Sequence, residues 1–204
     1  MVSNLNIEIN GHITSEEILQ CVKNLKNENA CGDDIIKNEY IKSSIDVFLP
    51  VYLKLFNCIF DSGIILESWL TGNVKPIYKN KGNHLDPKNV RPITILSCFG
   101  KLFTAVLLTR LNAFSENFSI LNENQSGFRK GYSTIDNIFA KKEKVIVTFV
   151  DFEKAFGKVW RDGLWCILLL NNINGKMYKA IYNMYQNIKS RIVYNNAVSD
   201  FVRL

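Results

Sequence analysis

Residues 147–160 read Val-Thr-Phe-Val-Asp-Phe-Glu-Lys-Ala-Phe-Gly-Lys-Val-Trp. With Val145 and Ile146 in front, the run to Val150 is almost wholly apolar and β-branched. That composition predicts a strand buried on both faces. The strand is expected to end at Asp151. A carboxylate at a strand exit is held rigidly while its oxygens face outward. Such a group suits Mg²⁺, which takes one or two carboxylates together with substrate phosphates. The residues alone also allow Asp151 to cap the following turn.

Around this stretch the chain alternates helix and strand patterns. Thr14 and Glu17 form a T-x-x-E capping box, with Ile13 and Ile18 placed to staple across it. Ile18, Val22 and Leu25 then share one helical face. A longer apolar helix is predicted from Glu39 to Phe60, kinked or split at Pro50 and stopped by Asp61-Ser62-Gly63. Val74 to Tyr78 reads as a strand and 79–83 as a turn. Pro87 and Pro92 predict extended backbone after it. An amphipathic helix is expected from Phe99 to Phe118, striped by Leu102, Phe103, Val106, Leu107, Leu111 and Phe114. Ser133 to Asp136 reads as a helix start that soon meets Lys141-Lys142-Glu143-Lys144. Helical patterns resume near Gly163 and over Gly175 to Ile188, the latter carrying Met177, Ile181, Met184 and Ile188. Arg191 to Asn196 reads as a strand entering an Asn-Asn hairpin. The class is α+β, helix-rich with a small sheet.

Composition narrows the function. At 204 residues with 47% apolar and 22% charged residues, the chain is globular in type. No apolar run reaches the roughly 18 residues of a membrane span, and the first residues carry no secretory pattern. Five dispersed cysteines without a C-x-x-C pair argue against zinc and disulfides. They predict reduced, mostly buried thiols in an intracellular protein of the nucleus or cytoplasm. The net charge is +6, and all of the excess lies between residues 73 and 110. Lys75, Lys79, Lys81, Lys88, Arg91, Lys101 and Arg110 stand there against Asp86 alone. A cationic segment of this kind points to a polyanion, and equally describes a solvated lysine-rich face.

Four stretches, in order, resemble the reverse transcriptases of non-LTR retrotransposons. Phe149 to Trp160 resembles the first metal-binding motif of that family. Gly32-Asp33-Asp34-Ile35 with Glu39 resembles its upstream G-x-D…E element. Pro76-Ile77-Tyr78-Lys79-Asn80-Lys81-Gly82, followed by Asn89-Val90-Arg91-Pro92-Ile93, resembles its basic fingers motif. Asn124-Gln125-Ser126-Gly127-Phe128-Arg129-Lys130-Gly131-Tyr132-Ser133-Thr134 resembles its Q-x-G-F-R element.

The resemblance implies an RNA-directed DNA polymerase using two Mg²⁺ ions, an RNA template, a DNA primer and deoxynucleoside triphosphates, with no membrane partner. Asp151 aligns with the first metal ligand, and Phe152 with the residue whose backbone carbonyl is a second. Phe156 aligns with the aromatic that excludes ribonucleotides. Lys79 or Lys81, together with Arg91, aligns with the groups that hold the triphosphate. Gln125, Gly127 and Arg129 align with an element near template and nucleotide, although Gly127 and Gly131 equally suit plain turns. The implied architecture is a partial right-hand polymerase. An N-terminal helical segment (1–30) precedes the partial reverse transcriptase domain (31–204), which comprises fingers (about 65–143), the start of the palm (about 144–165) and a return to the fingers (about 170–204).

Three departures from the family pattern stand out. The family's G-x-P-Q-G and [YF]-x-D-D elements have no counterpart after Asp151. Gly157 stands where the family commonly has Asp. Only 17 residues separate Thr134 from Asp151, where the family fits a longer helix. The expectation is a truncated portion that makes no DNA by itself; the alternative is a non-catalytic nucleic-acid-binding remnant.

Overall fold

The computed structural model describes residues 9–133, 135, 148–152, 155–195 and 197–203. Among these, helices pack on one another around a core, and a small mixed sheet stands beside them. The helices are α1 (Ser15–Lys23), α2 (Asn38–Ser62), α3 (Cys98–Asn117), α4 (Arg161–Leu170) and α5 (Gly175–Met184). The strands are β1 (Thr71–Tyr78), β2 (Val90–Ile95), β3 (Lys189–Tyr194), β4 (Ala197–Val198) and β5 (Val202–Arg203).

The capping box forms as expected. Thr14 N–H donates to Glu17 at 2.8 Å, and Glu17 N–H donates to the Thr14 hydroxyl at 3.3 Å. Ile13 and Ile18, the two staple residues, are buried. They share one continuous core with Ile41, Phe56 and Phe60 of α2 and with Leu102, Phe103 and Val106 of α3. Met177 and Ala180 of α5 close it. Leu111 is half-buried against this core, which completes the expected stripe.

Helix α2 runs unbroken through Pro50 for 25 residues, where a kink or split was expected. Proline lacks the N–H that would bond the carbonyl four residues back, that of Asp46. Pro50 is exposed, so water can serve that carbonyl, and core contacts on both sides hold the helix together. Gly63 ends α2 in the left-handed region at φ 70°, with its N–H on the Ile59 carbonyl at 2.8 Å. Pro87 opens a short 3₁₀ turn, Pro87–Asn89, instead of extended chain, while Pro92 lies inside β2. Helix α5 ends at Met184, short of Ile188. The thiols are all free, but Cys58 and Cys166 are exposed, so only part of the set is buried.

The sheet order is β2-β1-β3-β4, with β5 also on β3. Strands β1 and β2 are antiparallel, β1 and β3 parallel. The expected hairpin is present, with Tyr194 opposite Ala197 and Asn195 at φ 46°. The strand expected over 145–150 is a different matter. Residues 145–147 fall outside the described residues. Thr148, Phe149 and Val150 pair with no strand and are exposed. A strand buried on two faces needs neighbours on both edges and layers above and below. Among the described residues, none is placed there.

Candidate nucleic-acid interface

The β1–β2 hairpin gathers most of the charge excess. Its register sets Lys75 opposite Ile93 and Ile77 opposite Arg91. Residues two apart on a strand, and residues facing each other across a ladder, share one face. Lys75, Ile77, Arg91 and Ile93 therefore share one face, and all four are exposed. On β1 the residues of the opposite face, Gly72, Val74, Pro76 and Tyr78, are buried or half-buried, while Pro92 and Thr94 of β2 on that face are exposed.

The tip is braced by its own polar groups. Lys79 N–H reaches the Asn89 carbonyl at 2.9 Å, and the Tyr78 hydroxyl reaches the Gly82 carbonyl at 2.5 Å. Asn80 at φ 55° and Gly82 at φ 75° make the reversal. The Lys79 ammonium donates to the Lys88 carbonyl at 2.7 Å. One of its three donors is thus spent inside the hairpin, while Lys81 lies exposed at the tip.

Pairing sorts the cations into two groups. Arg110 donates to both Glu17 oxygens, at 2.6 and 2.7 Å, and to the carbonyls of Gly11 and His12. It is a strut between α3 and α1 and leaves the cationic surface altogether. Arg129, Lys176, Lys189 and Arg191 are likewise ion-paired. Among the described residues, Lys75, Lys81, Lys88 and Arg91 have no acidic partner. Other exposed lysines among the described residues, Lys23, Lys54 and Lys101 included, also lack an acidic partner; what sets the hairpin apart is that four such cations stand within one two-stranded ribbon.

The other motif residues fall into place around it. Gly32 lies against the Leu96–Ser97 backbone, where a Cβ would come within 2.7 Å of the Ser97 nitrogen. Asp34 accepts from the Ser97 hydroxyl at 2.5 Å, and Ser97 caps α3 by accepting from Gly100 N–H at 3.1 Å. Glu39 accepts from Glu28 N–H at 2.5 Å, which holds its carboxyl below the ordinary carboxylate range. Asp33 reaches the sheet, accepting from Asn73 and from Arg191. The G-x-D…E element is thus a clamp of the N-terminal loop onto α3 and β3.

In the Q-x-G-F-R element, Gln125 and Gly127 are exposed. Gly127 has no neighbour that a Cβ would meet, whereas Gly131 needs its φ of 84°. Arg129 is turned inward. It donates to Glu116 at 2.9 and 2.7 Å, pulling that carboxyl's pKa down, and stacks 3.8 Å over the Tyr132 ring. Its role in the fold is to pin this loop to the end of α3.

Asp151, Phe152 and Phe156 are exposed, Phe156 to 85%. No described contact joins them to the hairpin. No group of three His, Cys, Asp or Glu stands together among the described residues. A two-ion site needs clustered carboxylates, so these residues do not by themselves compose one.

Motif reading missed Asn73 and Arg191. They meet through the β1–β3 register, across 118 residues of sequence. No local pattern announces such a pairing.

Residues 77–201 match the reverse transcriptase (RNA-dependent DNA polymerase) family. The chain is 31% identical over 163 residues to the probable RNA-directed DNA polymerase from transposon BS of Drosophila melanogaster, covering 74% of this chain and 18% of that protein. It is 27% identical over 162 residues, with the same two shares, to the RNA-directed DNA polymerase from mobile element jockey of that species. It is 26% identical over 158 residues, 72% of this chain and 17% of the other, to the probable RNA-directed DNA polymerase from transposon X-element. The chain thus spans less than a fifth of the length of these relatives.

Proposed function

The chain belongs to the reverse transcriptase (RNA-dependent DNA polymerase) family, among the enzymes of non-LTR retrotransposons, and we propose that it is the fingers and early-palm portion of such a polymerase. On this reading the β1–β2 hairpin binds the phosphates of an incoming deoxynucleoside triphosphate and of the template–primer. Arg91 offers a planar fork that suits phosphate oxygens, and Lys81 a mobile point charge. Lys79, engaged with Lys88, chiefly shapes the tip. Gln125 and Gly127 face the template from a loop that Arg129 holds in place. The pairing of β3 with β1 supports a chain that leaves the fingers at about residue 143 and returns to them after about residue 170. The family match favours this reading over a non-catalytic remnant.

Divalent ions supply the family's chemistry by clamping the attacking and leaving oxygens. Asp151 and the Phe152 carbonyl are the ligands this chain would bring. Since they do not compose a site among the described residues, the chain's own contribution is phosphate binding and the placing of Phe156 near the sugar.

The observation that carries the proposal is the cluster of unpaired cations on an exposed sheet hairpin. Binding to an RNA–DNA hybrid oligonucleotide, followed by fluorescence anisotropy against salt, tests it. Each lost phosphate contact lowers the log–log salt slope by about 0.7 to 0.9. The Lys81→Gln/Arg91→Gln chain should lose about 1.4 to 1.8 of slope and bind more weakly. A Lys23→Gln/Lys54→Gln control on the helices should not. Equal binding by all three chains would refute the proposal.

A further inference from the structure

The exposed cationic face continues onto β3, but there it is occupied. Arg191 stands opposite Asn73 in the parallel register, so it shares a face with Lys75 and, through Ile77, with Arg91. Arg91, Lys75 and Arg191 form a diagonal across three strands, each step moving one strand over and two residues along. Two residues of strand rise and one inter-strand spacing put successive Cα atoms roughly 8 Å apart. Long cationic side chains bridge that distance easily.

The first two of these cations have no described partner, whereas the third is held on three sides. Its Nε donates to the Asn73 side-chain oxygen at 2.9 Å and its Nη2 to Asp33 at 2.8 Å. Its guanidinium carbon lies 4.9 Å from the Phe201 ring centroid. Asn73 also donates to the same Asp33 oxygen at 2.5 Å. The Arg191 side chain is 26% exposed and that of Asp33 38%. The pair therefore sits at the solvent boundary, where a surface ion pair is worth only about 0 to 1 kcal/mol and a competing anion can reach it.

We propose that Arg191 is a further phosphate-binding residue, continuing the cationic row of the hairpin, and that Asp33 is a built-in competitor which occupies its guanidinium until nucleic acid displaces it. Asn73 and Phe201 keep the guanidinium oriented when Asp33 lets go, so the fork is ready for phosphate. The inference rests on the hairpin being a nucleic-acid face and adds to it the residue beyond the hairpin and the acid that restrains it.

A double-mutant cycle on hybrid binding decides the matter. Asp33→Asn keeps an oxygen for Asn73 and Arg191 but removes the charge. It should raise affinity about two- to fivefold and steepen the salt slope by about 0.7 to 0.9. In an Arg191→Gln background the same change should give no gain. Asp46→Asn, which removes an exposed acid on α2 that has no ion pair among the described residues, controls for the plain loss of negative charge. Thermal melts check that each chain is folded. If Asp33→Asn gains no more than Asp46→Asn, or gains as much without Arg191, the proposal fails. That failure stands apart from a failure of the hairpin reading, because Lys81→Gln/Arg91→Gln reports on the hairpin alone.

Discussion

Arg110 shows what a single side chain holds in this molecule. Its guanidinium ties α3 to Glu17 and to two carbonyls of the segment before α1. Arg110→Ala takes that donor from those carbonyls and leaves a half-buried carboxylate with only its bond from Thr14 N–H. The expected loss is about 2–3 kcal/mol by urea unfolding. The pH dependence follows from Glu17. Burial alone would raise its pKa, but hydrogen bonds from Arg110 and Thr14 outweigh it and hold the value below the ordinary 4.5. A carboxyl lowered in the folded state adds stability that is complete above 4.5. It is lost as pH falls through the lowered value. Wild-type stability should therefore decline below pH 4.5, and in Arg110→Ala the part due to Glu17 should shrink, because only the Thr14 bonds then oppose the effect of burial. The Thr14–Glu17 box was legible because its partners lie three residues apart. Arg110 looked like surface charge, since its partner lies 93 residues away.

At the scale of elements, amphipathic stripes were readable and pairings were not. The expected stripe of α3 is the observed one, because a 3.6-residue period depends only on near neighbours. Phe103 lies fully buried, 5.3 Å from Phe56 between ring centroids. Phe103→Ala should cost about 3–5 kcal/mol in chemical denaturation. Pro50 predicts a kink or split, and its local cost is real. Long-range packing at Ile41, Ile45, Phe56 and Ile59 overrides it. Pro50→Ala should stabilise the chain by about 1–3 kcal/mol, seen as a higher urea midpoint. Gly100 belongs to the same scale. A Cβ there would stand 2.9 Å from the Trp69 ring, so Gly100→Ala should destabilise by about 1–3 kcal/mol. The stretch up to Asp151 marks the opposite case. Its β-branched run names a strand, but pairing partners and cover decide whether one forms, and at Thr148 to Val150 none is described.

For the whole molecule, family membership was the most legible feature, because four motifs in order are local patterns. Their geometry was less so. Two of them hold the fold together: Asp33, Asp34 and Glu39 clamp the N-terminal loop, and Arg129 pins the loop after α3. The sheet turns the face of Lys75 and Arg91 outward, with Lys81 at its tip, and this is where the proposed polyanion binding would take place. Amide hydrogen exchange with and without an RNA–DNA hybrid locates the binding surface directly. Slowed exchange in 79–91 and along β3, with α1 and α2 unchanged, is the predicted result. Protection on the outer side of α2, or none in the hairpin under conditions where the hybrid is bound, would contradict it.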